Sequence, residues 1–283
     1  MKVAVFGASG LLGRALLRQW KGDDVIGLSS RDVDIRDRDG VLELVATMQP
    51  DWIVLAAAYT DVDGCESQSE LAFAVNRDGA ANVARAAKAA RSRLMFLSSD
   101  YVFDGTQRSA YETDAPRCPL GVYGQSKAQA EVLLLGLIPD CCIVRTSWVF
   151  GVDGKCFPDT ILRLSESRAQ LDVVNDQRGT PTYTVDLARA ILQLCRNDAR
   201  GIVHATNSGE CSWFEFAREI VQCAGLPTEI RPTETSRMAR PAARPVYSVL
   251  SPKSLHLFGV TMPSWQDALR RYFDERAMQG ATA

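Results

Sequence analysis

KVAVFGASGLLG, residues 2–13, runs an apolar segment straight into three glycines, Gly7, Gly10 and Gly13. A short strand apolar on both faces is one buried between two layers, as in a parallel sheet. After the glycines, Leu11 to Trp20 carries helical periodicity. Strand, tight turn and helix start, in that order, suit a pyrophosphate. Glycines let the backbone close on it, and the first N–H groups of the helix face its charge. Gly7, Gly10, Leu11, Leu12 and Gly13 are therefore the predicted cradle of a dinucleotide.

The same alternation continues outward. "DVIGL" precedes "GVLELVATM", and "WIVLAAA" precedes the alanine-rich stretch Glu70 to Arg91. "RLMFLSS" precedes a helix from Tyr123, and "CCIVRTS" follows. Strands separated by helices predict an α/β fold, a Rossmann-type doubly wound parallel sheet. From about Gly151 the texture changes to helices at Pro158 to Arg168, Val185 to Cys195 and Trp213 to Cys223, around short strands at "LDVV" and "GIVHATN". Pro227 to Pro245 reads as a long irregular connection, functional or disordered. The predicted organisation is a dinucleotide-binding domain over 1–150 and a smaller α/β substrate lobe over 151–283, allowing for segments that return to the first.

The totals fit a soluble globular chain: 283 residues, 46% hydrophobic, 23% charged, net charge -2. The basic residues form no run, which argues against nucleic acid or an anionic membrane as partner. No apolar stretch reaches the roughly 18 residues of a membrane span. The N-terminus lacks a signal-peptide core and cleavage site. The 8 cysteines show no C-x-x-C spacing and read as reduced thiols of a cytoplasmic protein.

At the end of the second strand, a protein preferring NAD usually places an acid against the ribose hydroxyl. Here "GLSSRD" offers Ser29 and Arg31, which suit a 2′-phosphate and predict NADPH, with NADH as a second choice. Asp34 and Ile35 are placed to meet the adenine. "AAAYT" ends the third strand and brings Ala57, Ala58 and Tyr59 under the pyrophosphate.

In "VYGQSK", Tyr123 and Lys127 stand four residues apart, one turn of a helix, on one face. A phenol with a pKa of about 10 donates a proton sluggishly at neutral pH, and a neighbouring cation lowers that pKa. Lys127 can also bond a nicotinamide ribose. Ser99, ending the strand before "DYVFDG", is predicted to give a second hydrogen bond to a carbonyl oxygen as charge develops there.

With these residues placed, the chain resembles the dTDP-4-dehydrorhamnose reductase family of extended short-chain dehydrogenases. The likeness rests on "GASGLLG", "PDWIVLAAAYTDVDGCE", "AVNRDGAANVA", "SSDYVFDG", "VYGQSKAQAE", "RTSWVFG", "VVNDQRGTPT", "SGECSWFEFA", "PAARPVYSVL" and "MPSWQDAL". It implies NADPH- or NADH-dependent reduction of the 4-keto group of a dTDP-linked keto sugar, giving dTDP-L-rhamnose for surface polysaccharides. It implies Tyr123 as proton donor, Lys127 as its partner and ribose ligand, and Ser99 where the family commonly has threonine. Thr60, Val62, Asp100, Tyr101 and Trp148 would line the sugar pocket, and Arg244 would face either the nucleotide diphosphate or solvent. Ser29 replaces an aspartate found in members that use either cofactor. Ala15 stands where some members hold a magnesium ion with glutamate, so no metal is expected, and either a monomer or a homodimer fits. The same fold also serves as a non-catalytic NADP-binding regulatory subunit of methionine adenosyltransferase. Reductases of other nucleotide-linked 4-keto-6-deoxy sugars share it too.

Overall fold

A computed structural model describes residues 1–280. Its centre is a six-stranded parallel sheet built from β1 (Lys2–Phe6), β2 (Asp24–Leu28), β3 (Trp52–Leu55), β4 (Arg93–Ser99), β5 (Cys142–Thr146) and β6 (Gly201–His204). The spatial order is β6-β5-β4-β3-β1-β2. Side chains alternate across such strands, so each face collects every second residue. Val3, Val5, Trp52, Val54, Met95 and Val144 face the helices Leu11–Gln19 and Thr184–Arg196. Ala4, Phe6, Ile53, Leu55, Phe96 and Ile143 face Arg38–Met48, Ala80–Ala90 and Val122–Leu137. This is the doubly wound arrangement that the strand and helix alternation predicts. Ala15 is fully buried beside Leu187, Ala188 and Ile191 in the first of these layers.

Between β1 and β3 the strand order reverses direction, which opens a crevice at the carboxyl ends of the strands. A third core, formed by Phe150, Tyr183, Phe216, Trp265, Leu269 and Tyr272, supports the C-terminal lobe beside that crevice.

The strand read from "GIVHATN" pairs with β5 in the main sheet, a segment of the second half of the chain that returns to the first. One detail differs from the sequence-based expectations. The stretch expected to be irregular contains a strand, Glu229–Thr233, parallel to Gln170–Val174. Pro232 hid it, since proline cannot donate to a ladder; on the edge of a two-stranded sheet that loss is tolerated. Among the described residues all eight cysteines carry free thiols, and no helix is long and apolar enough to cross a membrane.

Candidate active site

A cavity of about 700 Å³ opens along the crevice. At one end lies the glycine turn. Gly7 has φ +89, and a Cβ there would come within 2.5 Å of the Ala57 backbone nitrogen. A Cβ on Gly13 would collide with the Gly7 carbonyl oxygen, so the helix can start this close only with glycine at both places. Gly10, where a Cβ would lie 3.3 Å from the Gly7 carbonyl oxygen, caps the Leu11–Gln19 helix without any side-chain bond. The first N–H groups of that helix are thus left to a ligand, and a pyrophosphate fits both the room and the donors.

The lining contains Gly7, Gly10, Leu11, Leu12, Gly13, Ser29, Asp34, Ile35, Ala57 and Ala58. Arg31 and Tyr59 are not among the lining residues. The turn after β2, closed by Asp32 N–H donating to the Ser29 carbonyl at 3.0 Å, carries Arg31 outward into solvent. Arg36 lines the cavity instead, with its Nε held 2.9 Å from Asp34 Oδ2. The turn also folds a carboxylate back. Ser29 donates both its N–H and its hydroxyl to Asp32 Oδ2 at 2.7 Å. Tyr59 is fixed by Asn76, which donates to its carbonyl at 3.0 Å and accepts from its N–H at 2.8 Å. Asn76 also donates to Ser126 Oγ at 3.0 Å, tying the loop after β3 to the helix of Tyr123. Sequence reading missed this residue, although the π-helical turn around it, Ala74–Gly79, is a feature common at functional sites.

Tyr123, Lys127 and Ser99 meet on the other side of the same cavity. Burial pushes the Tyr123 phenol up, and among its protein neighbours the hydrogen bond with Ser99 is what pulls it down. Lys127 is 2% exposed, with Nζ 4.0 Å from the Phe96 ring centroid. Burial lowers its pKa to about 7, against the opposing charge of Glu131 one turn on. The expected lowering of the phenol by a lysine cation is therefore not what the side chains show. The same burial that brings Lys127 to the site weakens its hold on a proton. Ser99 also differs from expectation, because its hydroxyl hydrogen goes to Asp100 Oδ1 at 3.0 Å.

The depressed lysine has a consequence for stability. Unfolded, the ammonium keeps its proton to a pKa of 10.5; folded, it loses it near 7. Between those values unfolding takes up a proton, so raising the pH stabilises the fold, and falling pH removes that gain. Thermal melts from pH 7.5 to 9.5 should show the wild type gaining on Lys127→Met as pH rises. Parallel curves would show that Lys127 is charged in the folded protein.

Behind Lys127 lies a dry ionic cluster. Glu131 and Arg145 are both fully buried and bonded twice, at 2.9 and 2.7 Å. Arg117 and Ser98 also donate to Glu131, at 2.6 and 2.5 Å. Burial raises the Glu131 carboxyl, but Arg145 outweighs it and holds the group below its usual range. His204, 1% exposed and 3.3 Å from Arg145, is pushed down to about 3 by burial and stays neutral. It serves the core.

Thr60, Val62, Asp100, Tyr101 and Trp148 line the far end of the cavity. Trp148 holds φ +46, a left-handed conformation that a bulky residue adopts only under constraint. The constraint is a stack on Trp213, centroids 3.5 Å apart and planes 7° from parallel. Trp213 also lines the cavity, and sequence reading assigned it nothing. Arg244 is held by a carboxylate: Nη1 and Nη2 lie 3.0 and 2.9 Å from the two oxygens of Asp63. That bond holds the Asp63 carboxyl down at about 2.

A switch-point crevice with a glycine cradle and a serine, tyrosine and lysine converging on one cavity defines a Rossmann-type reductase. Residues 1–278 match the family described as the RmlD substrate binding domain, and the chain belongs to that family. It is 40% identical to a dTDP-4-dehydrorhamnose reductase of Mycolicibacterium smegmatis, over 95% of this chain and 84% of the relative. It is 39% identical to a dTDP-4-keto-6-deoxy-D-glucose reductase of Streptomyces niveus, over 95% of each. The crystal structure of a dTDP-4-dehydrorhamnose reductase from Bacillus anthracis in complex with NADP superposes with a TM-score of 0.94 at 37% identity, covering 97% of this chain and 100% of that one.

Proposed function

We propose that the protein reduces the 4-keto group of dTDP-4-dehydro-L-rhamnose with NADPH, forming dTDP-L-rhamnose. The observation that carries this reading is a single cavity holding the glycine cradle, the buried acid Tyr123 and the aromatic wall of Trp148. NADPH, when bound, supplies the hydride from its nicotinamide to the ketone carbon. Tyr123 gives its hydroxyl proton to the ketone oxygen, and Ser99 stands on the wall of the same cavity. Lys127 bonds the nicotinamide ribose. Its ammonium regains its proton where polar ribose hydroxyls replace apolar surroundings, and then it steadies the tyrosinate. The rings of Trp148 and Trp213 give the methyl-bearing side of the deoxysugar an apolar wall.

Arg36, rather than Arg31, meets the 2′-phosphate in this reading, because it is the arginine that lines the cavity. A charge-assisted bond is worth roughly 1.5–3 kcal/mol. For an exposed guanidinium already shared with Asp34, the lower end applies. Arg36→Ala should raise KM for NADPH roughly tenfold and leave NADH nearly unchanged. Arg31→Ala should alter neither by more than about twofold. Equal effects of the two substitutions would return Arg31 to the site.

A second substrate reading has its own support in the Streptomyces niveus relative, named for the D-gluco ketone. Parallel assays with dTDP-4-keto-6-deoxy-D-glucose and its L-rhamno counterpart separate the two. A higher kcat/KM for the L-rhamno ketone supports the first reading; preference for the D-gluco ketone replaces it with the second.

A further inference from the structure

Asp100 lines the sugar end of the cavity, yet it is 2% exposed and both its carboxylate oxygens are occupied. Oδ1 accepts from Ser99 at 3.0 Å, and Oδ2 accepts from Ser248 Oγ at 2.6 Å, across 148 residues of chain. A carboxylate so placed is held from both sides. Its reach into the chemistry runs through Ser99. The Ser99 hydroxyl gives its hydrogen to Asp100 and accepts from the Tyr101 N–H at 3.2 Å, which holds it at the wall of the cavity it shares with Tyr123.

Ser248, in "PAARPVYSVL", is itself 1% exposed and held on both sides. Its N–H donates to the Arg178 carbonyl at 2.9 Å, and the Val246 carbonyl before it accepts from Arg178 N–H at 2.8 Å. One residue on, the Val249 carbonyl accepts from Tyr111 N–H at 2.8 Å. Pro245 and Val246 press against the turn that follows Asp100. A Cβ on Gly105, φ +79, would lie 2.6 Å from each of them. The hydroxyl of Ser248 therefore cannot follow a moving carboxylate. It pins one.

We infer that Ser248 and Asp100 are positioning residues for the reduction: Ser248 fixes the Asp100 carboxylate, which fixes the direction of the Ser99 hydroxyl in the cavity it shares with Tyr123. A residue of the C-terminal lobe thereby sets a hydroxyl that ends a strand of the central sheet. The inference rests on the reductase reading above.

The test is single-turnover oxidation of NADPH by the keto sugar with enzyme in excess, where amplitude reports folded enzyme and the rate constant reports the chemical step. Ser248→Ala should lower that rate constant roughly tenfold, since small misplacements of a reacting group are costly. The NADPH dissociation constant should stay within about twofold, and Ser248→Thr, which keeps the hydroxyl, should restore the rate. Asp100→Asn should lower the rate at least as far, and Ser248→Ala added to it should cost little more, because the two act in series. If Ser248→Ala does not fold, Asp100→Asn with and without Ser248→Thr carries the comparison. An unchanged rate constant in a variant of normal amplitude, or full additivity of the two substitutions, would overturn the inference. A wild type that leaves NADPH unoxidised would overturn the reductase reading itself, a different result from a wild type that turns over and variants that match it.

Discussion

Tyr123→Phe should turn over at least 100-fold more slowly than the wild type while binding NADPH unchanged, because a general acid of this kind contributes roughly 100- to 10,000-fold. The substitution removes one oxygen from a site where the ring is already held. Tyr101 meets the Tyr123 ring edge to face at 5.8 Å, and Gly124 lets the helix approach the Tyr101 carbonyl closely. Burial keeps the phenol neutral, so the phenylalanine variant leaves no buried charge unpaired. Fluorescence titration with NADPH and steady-state rates with the keto sugar separate binding from chemistry. Loss of both together would mark the residue as part of the cofactor site rather than as the acid.

Arg145→Met should cost roughly 3–5 kcal/mol of folding stability, the usual penalty for removing one partner of a buried ion pair. Arg145 is fully buried and holds Glu131 by two bonds, with a third donated to the Thr113 carbonyl at 3.1 Å. Methionine fills much of the volume but leaves the Glu131 carboxylate to Arg117, which is only partly buried. Glu131→Gln/Arg145→Met together should recover much of the loss, since the double variant strands no charge. Urea unfolding of the three variants measures this directly. A loss under about 1 kcal/mol for Arg145→Met would mean that Glu131 takes up a proton at little cost.

The sheet was legible because its strands are apolar on both faces and each is followed by a helix, a pattern local to the chain. The glycine turn was legible for the same reason: strand, glycines and helix start are contiguous. Tyr123 and Lys127 lie one turn apart on one helix, so their pairing needs no knowledge of tertiary structure. What escaped depends on distant contacts. Trp213 enters the site only because the C-terminal lobe stacks it on Trp148, 65 residues away in sequence and in parallel planes. Arg36 lines the cavity and Arg31 does not because of how a turn closes, which propensity does not resolve. Spacing shows Lys127 a neighbour but not the burial around it, which lowers its pKa to about 7. The partner of Arg244 is a carboxylate on another helix, and no local pattern announces it.

The most direct measurement mixes the purified protein with NADPH and dTDP-4-dehydro-L-rhamnose, follows absorbance at the nicotinamide band, and identifies the sugar nucleotide by NMR. The account predicts NADPH oxidation stoichiometric with formation of dTDP-L-rhamnose, abolished in proportion by Tyr123→Phe. NADPH that binds but is not consumed by either 4-keto sugar would contradict it, and would leave a dinucleotide-binding protein without this chemistry.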